Sequence, residues 1–288
     1  MSARIAAAPI SWGVCEVPGW GHQLRPERVL AEMRALGIEA TEFGPTGFLP
    51  EQPEELAAVL AEHGLQGVGG FLPVLLHDPD VDPLTAVDAF IDTCVAARAD
   101  VVVLAAATGL HGYDARPVLD DLGWTTLLAN LDRVAQLADD RGVVLGLHPH
   151  VGTMVENRDD VDRVLSGSRV GLCVDTGHLL VGGTDPVALT REHVGRVVHV
   201  HLKDVDGDLA AKVLDGTLAF ADAVRAGLWV PLGRGSVDVA AMIRTLHDSG
   251  YAGWYVLEQD VMLDREPDGD GLLTDVRTSL DYVQAAVA

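Results

Sequence analysis

The sequence predicts an α/β protein, a single (β/α)8 TIM barrel over residues 1–288, with an extended loop and helix after its seventh strand. Three observations carry that expectation. The chain has 288 residues, 48% of them hydrophobic, enough for a large core and suited to a barrel of about 250 residues. Short apolar runs alternate eight times with longer amphipathic ones. No Pro/Ser-rich linker or charge block divides them. An open doubly wound sheet would alternate in the same way, but no GxGxxG follows the first strand.

The strand-like runs fall at residues 5–10, 40–43, 67–72, 101–106, 143–147, 170–174, 197–202 and 255–257. Helical periodicity fills the intervals at 26–36, 53–63, 83–98, 124–140, 159–165, 186–194, 237–249 and 274–286. Pro26, Pro53, Pro83 and Pro186 stand at the openings of four of these helices, where a missing N–H does no harm. The rhythm breaks once, after the seventh strand. Residues 203–233 include a helical stretch near 209–226 and carry Leu214, Leu218, Phe220, Leu228 and Trp229, too apolar for a solvated loop. The segment reads as a lid over the barrel mouth, a subunit contact or an ordered structural excursion.

Asp and Glu number 43 against 20 Lys and Arg, a net charge of -23 that would repel nucleic-acid phosphates and anionic membranes. No apolar run reaches the ~18–20 residues of a membrane span, and the opening MSARIAAAPISWG is too short in apolar core for a secretory signal. A cytoplasmic location is expected. Cys15, Cys94 and Cys173 are far apart without a CxxC, so neither a disulfide framework nor a cysteine zinc site is suggested, and Cys173 reads as a buried thiol. Lys203 and Lys212 are the two lysines.

Alternate side chains of a strand face opposite sides, so parity sorts the barrel axis from the helix layer. With Leu145 and Leu147 toward the helices, Gly146, His148 and His150 look inward. Likewise Leu172 and Val174 face out and Cys173 and Asp175 face in. Val198, Val200 and Leu202 face out, leaving His199, His201 and Lys203 as an inward stack. Glu42 and Glu258 end the inward sets of their own strands. Five strand ends thus bring ionisable groups to the C-terminal mouth, where barrel enzymes do their chemistry. A lone histidine there is ordinarily a hydrogen-bonded structural group, and Asp175 alone could be a helix cap. A whole cluster of imidazoles and carboxylates in a barrel axis calls for a cation to share. That donor mixture suits Mn2+, Mg2+, Co2+ or Zn2+. His199, deeper in the stack, reads as a core or supporting histidine, and the acidic runs at 159–160 and 264–275 read as solvated faces.

At these residues the sequence resembles the xylose-isomerase-like barrels, the sugar-phosphate isomerase and epimerase superfamily, and within them the inosose-dehydratase branch. The resemblance spans essentially the whole chain: Pro9-Ile-Ser-Trp-Gly13, Glu42-Phe-Gly-Pro45, Gly47-Phe-Leu-Pro50, His148-Pro-His-Val-Gly-Thr153, Val174-Asp-Thr-Gly-His178, His199-Val-His-Leu-Lys-Asp204, Pro231-Leu-Gly-Arg-Gly235 and Gly250-Tyr-Ala-Gly-Trp254 leading to Glu258. It implies one divalent metal, with manganese the expected ion and Co2+, Mg2+ or Zn2+ compatible. Asp175, His201 and Glu258 carry over as ligands. His148 stands where many relatives have Glu and is taken as the fourth ligand, with Glu156 the alternative source of an acid. Met154 stands where many relatives of the branch have Tyr, a departure that bears on substrate more than on metal.

The resemblance further implies a small-molecule cyclic keto-polyol or keto-sugar as substrate. The metal would chelate its ketone oxygen and an adjacent hydroxyl and stabilise the enediolate formed on proton loss. Loss of the next hydroxyl would dehydrate 2-keto-myo-inositol to a trihydroxycyclohexane-1,2-dione. Reprotonation elsewhere would instead make the chain a keto-sugar isomerase or epimerase, and a 3-dehydroshikimate-type dehydratase is a further alternative. Lys203, with a pKa lowered near the metal, and His178, which resembles a substrate-contacting histidine of the epimerases, are the first acid–base candidates. Glu42, His150 and Glu156 are the others. The DNA-repair endonucleases of the superfamily need a basic groove, which the charge of -23 opposes. A non-catalytic sugar-binding barrel is the remaining reading. Neither nucleic acid nor membrane is expected as a partner, and a homo-oligomer is compatible with the sequence.

Overall fold

The computed structural model describes residues 3–287; Met1 and Ser2 of the opening segment, and Ala288, lie outside the described residues. The apolar runs form parallel strands β1 (Arg4–Ala7), β2 (Ala40–Glu42), β3 (Gln66–Leu75), β4 (Val101–Ala107), β5 (Val144–Leu147), β6 (Gly171–Asp175) and β7 (Val197–Leu202). A short antiparallel ribbon, β8 (Asp204–Val205) with β9 (Trp229–Val230), precedes the last barrel strand, β10 (Trp254–Leu257). The sheet closes in the order β1-β10-β7-β6-β5-β4-β3-β2, with Arg4 opposite Trp254 and Ala7 opposite Leu257 at the seam. Closure leaves the barrel sheet without edges, and α-helices between its strands complete a (β/α)8 barrel.

The differences from expectation are local. The first run stops at Ala7 because Pro9, which has no N–H for a ladder bond, opens a 3-10 turn, Pro9–Trp12. The fourth crossover helix, Asp121–Asp140, starts earlier than its apolar pattern because the Asp120 carboxylate caps it, accepting the Gly123 N–H at 2.8 Å. The sixth crossover holds two helices, Thr176–Val181 directly after β6 and Pro186–Glu192.

Two layers of core follow from parity. Ala6, Ala8, Ala40, Val68, Val101, Val103, Cys173, Trp254 and Val256 pack together inside the barrel. A much larger cluster, including Leu104, Leu147, Leu172, Val200 and Leu202, fills the space between strands and helices. Val198 breaks the parity. A register shift pairs Leu172 with Val197 but Cys173 with His199, so the strand gains one residue there. A Cβ built on Gly171 would lie 2.7 Å from Val198 Cγ1, and one on Gly146 3.1 Å from Val198 Cγ2. Val198, expected on the helix face, therefore occupies the space two inward glycines leave inside the barrel.

The excursion after β7 is ordered. It carries two helices, Gly207–Leu214 and Phe220–Arg225, between the two strands of the ribbon. Asp204 ties its return: one carboxylate oxygen accepts the N–H groups of Gly233 and Gly235, both at 2.9 Å, and the other accepts those of Val205 and Val237. Phe220 and Trp229 are buried, and their rings reach over the mouth to that of His178. Among the described residues no helix is long and apolar enough to cross a membrane.

Candidate metal centre

β6 delivers Asp175 to the mouth, where its two carboxylate oxygens divide their work. Oδ1 caps the helix that follows, accepting the N–H groups of Gly177 and His178 at 2.8 Å each. Oδ2 faces the barrel axis, 3.3 Å from His148 Nε2, 3.2 Å from Lys203 Nζ and 3.7 Å from His201 Nδ1. Asp175 is thus a helix cap through one oxygen, with the other left toward the axis.

β7 supplies the hub. His201 presents Nδ1 to Glu258 Oε2 at 3.0 Å and Nε2 to Glu42 Oε1 at 2.9 Å. His199 Nε2 lies 2.9 Å from the same Glu42 oxygen. Lys203 Nζ sits among three carboxylates, 2.8 Å from Glu258, 3.1 Å from Asp260 and 3.2 Å from Asp175. Asp260 was not singled out from sequence. The available signal was parity, because it stands two residues beyond Glu258 and so returns to the same face.

His148 packs against the His201 ring with centroids 4.9 Å apart. His150 stacks on His178 with centroids 3.6 Å apart, backed by Tyr113 at 4.3 Å. His178 is wholly buried behind His150, with neither ring nitrogen hydrogen-bonded. Glu156 is not brought to this cluster. Its carboxylate accepts the Gly152 N–H at 2.8 Å and lies 3.5 Å from Arg116 Nε, so a partner from the β4 loop holds it away from the axis. Met154 is buried in the core.

The electrostatics favour charged acids and neutral imidazoles. Burial opposes ionisation of Asp175, but Lys203 and His178 hold its carboxyl well below the usual range. Burial likewise opposes Glu258, and His201 and Lys203 outweigh it. His148, His150 and His178 are pushed down, chiefly by burial. His201 is the exception, raised well above its usual value because Cys173, Glu258 and Glu42 overcome its burial. Lys203 corrects an expectation: its pKa is raised, because Asp175, Asp260 and Glu258 more than offset the desolvation that would have lowered it. Burial pushes Asp260 up to about 7 against the pull of Lys203.

Asp175, His201 and Glu258 each offer a donor atom within 4.8 Å of the others, as do His148, Cys173 and His201. The buried Nδ1 atoms of His148 and His201 have no hydrogen-bond partner. Carboxylate oxygens and unpartnered imidazole nitrogens are the donors a divalent ion of the Mn2+ or Zn2+ kind takes, so the residues present fit such an ion. Above them lies a cavity of about 300 Å3, with His148, His150, His201, Lys203, Glu258 and Asp260 at its polar end and Trp20, Phe71, Phe90, Tyr113 and Phe220 along its walls. These aromatic walls come from two loops, one strand and two helices, so they were not legible as a group in the sequence.

Residues 30–280 match the family described as xylose isomerase-like TIM barrel. The chain is 37% identical over 271 residues to the rhizopine catabolism protein MocC of Rhizobium meliloti, covering 90% of this chain and 82% of that protein. It is 32% identical over 270 residues to an inosose dehydratase of Geobacillus kaustophilus, covering 89% and 87%. Among solved structures, the IOLI protein with a bound zinc atom superposes with a TM-score of 0.71 at 14% identity, covering 99% of this chain and 98% of that one.

Proposed function

The chain belongs to the xylose isomerase-like TIM-barrel family, and from that premise we propose that it is a metal-dependent dehydratase of a cyclic polyhydroxy ketone such as 2-keto-myo-inositol. The observation that carries the reading is the convergence of His148, Asp175, His201 and Glu258 beside Lys203 at the polar end of one small cavity. The inosose dehydratase relative supports the reaction class, and the zinc atom bound by the IOLI protein, which shares the fold, is in keeping with a divalent ion. Manganese is the resident we propose, the ion the family resemblance implies and one that the mixed donor set accepts.

One divalent ion held by His148, Asp175, His201 and Glu258 would polarise a substrate ketone and its neighbouring hydroxyl and make the C–H between them more acidic. The remaining steps fall to side chains. Lys203, in contact with Glu258 and Asp260, can hold a proton at Nζ and exchange it with the substrate while Asp260 balances the charge. His150 borders the cavity as a buried neutral imidazole whose Nδ1 proton is donated to the Val151 carbonyl oxygen at 2.6 Å, so its Nε2 is placed to accept a proton from the substrate, with His178 stacked behind it to fix the ring. Tyr113 and Phe220 border the cavity on the side of His150 and limit the entry of water. Glu156 takes no part.

The test is metal analysis of the purified protein followed by a product screen on keto-inositols, keto-sugars and 3-dehydroshikimate. Metal-dependent appearance of an ultraviolet-absorbing dione from a keto-inositol supports the reading. Conversion of a keto-sugar to an isomer without loss of water replaces it by an isomerase or epimerase. A protein that retains no divalent ion and turns over none of these overturns it.

A further inference from the structure

Glu42 uses one carboxylate oxygen for two imidazoles. Its Oε1 lies 2.9 Å from Nε2 of His199 and 2.9 Å from Nε2 of His201, and all three side chains are buried. An ionised carboxylate only accepts hydrogen bonds, so both nitrogens must carry their protons. When a cation displaces the other proton, an imidazole that keeps its proton at Nε2 has its lone pair at Nδ1. In His201 that atom faces Glu258 at 3.0 Å and Asp175 at 3.7 Å and has no hydrogen-bond partner of its own. The backbone is built for this aim. β2 and β3 slip register between Thr41 and Glu42, where Gly69 takes a φ of +137° that L side chains rarely adopt. Such a bulge redirects the side chain that follows it.

We propose that Glu42 is a positioning residue that locks His201 in its Nε2-protonated tautomer and so presents Nδ1 to a divalent cation, while His199 pins the Glu42 carboxylate from the other side. The proposal rests on the metal reading given above. The acid is required because a glutamine amide in its place could turn its NH2 toward Nε2 and admit the opposite tautomer. Glu42 also borders the cavity, and with His199 and His201 it brings three donor atoms within 4.8 Å. A substrate-touching base and a second ion site are therefore the rivals.

The deciding measurement is the histidine 15N spectrum of the full chain, metal-free and loaded with Zn2+, alongside Zn2+ affinity by chelator competition. The expected result is a proton on both His201 nitrogens in the metal-free parent and on Nε2 alone in the Zn2+-loaded parent. Glu42→Gln should show mixed His201 tautomers and bind Zn2+ about 10–100-fold more weakly, while still unfolding in a single cooperative transition in chelator. A bare Nε2 on His201 in the parent overturns the proposal, whether or not Glu42→Gln folds. So does parent-like Zn2+ affinity in that variant, or a parent that binds two Zn2+ of which the variant loses one. A parent that binds no Zn2+ removes the metal reading and this proposal with it, whereas a Zn2+-loaded parent with a bare Nε2 on His201 removes the proposal alone.

Discussion

Lys203 Nζ lies 3.1 Å from Asp260 Oδ1, which joins the end of β7 to the loop beyond β10 inside a buried cluster of acids. Lys203→Met leaves Asp175, Glu258 and Asp260 without their ammonium. Removing one partner of a buried charge network typically destabilises by about 3–5 kcal/mol. The metal-free variant should therefore unfold at a clearly lower temperature, and added Mn2+ should restore much of the loss. Lys203→Arg keeps the charge but cannot give up a proton near neutral pH. Its kcat is expected to fall about 100-fold or more with Mn2+ affinity close to the parent's. A fully active arginine variant would move the proton transfer to His150.

The divided carboxylate of Asp175 predicts a separation between two substitutions. Asp175→Asn keeps an oxygen to cap the Thr176–Val181 helix and loses only the charge toward the axis. Asp175→Ala loses both. Each should purify without bound metal, as should Glu258→Ala, by elemental analysis. Only Asp175→Ala should lose an additional ~1 kcal/mol in urea unfolding of the metal-free protein.

Glu42 should shape the acid stability of the metal-free protein. Burial works against its ionisation, but His201 and His199 hold its pKa below the usual 4.5. A carboxylate with a depressed folded pKa adds stability that is fully present above its unfolded value and is lost as pH falls toward the folded one. Urea unfolding in chelator should therefore decline as pH falls below about 4.5 more steeply in the parent than in Glu42→Gln. Parallel profiles would show that Glu42 gains nothing from its two histidines.

The close approach of Val198 to Gly171 gives a packing test. Gly171→Ala would place its methyl 2.7 Å from Val198 Cγ1 and should destabilise by roughly 1–3 kcal/mol. Val198→Ala removes the clashing methyls, so the double variant should recover part of that loss. Additive destabilisation in a double-mutant cycle would place Val198 elsewhere.

Periodicity alone was enough for the order of strands and helices, and parity was enough to bring Glu42, His148, Asp175, His201, Lys203 and Glu258 to one face of the barrel. Both are local properties of a backbone whose side chains alternate every two residues in a strand and recur every 3.6 in a helix, so a single sequence exposes them. What tertiary structure decided depends on distances between residues remote in the chain. Arg116 holds Glu156 away from the axis across 40 positions of sequence, and Asp260 enters the cluster only because β10 closes against β7. One added residue in β7 turns Val198 inward against a pattern that reads it outward. The charge state of Lys203 likewise follows from three carboxylates assembled from two strand ends and a loop, whose summed field exceeds the penalty of burial. Through-space sums of this kind have no period, so they become readable only once the barrel has closed.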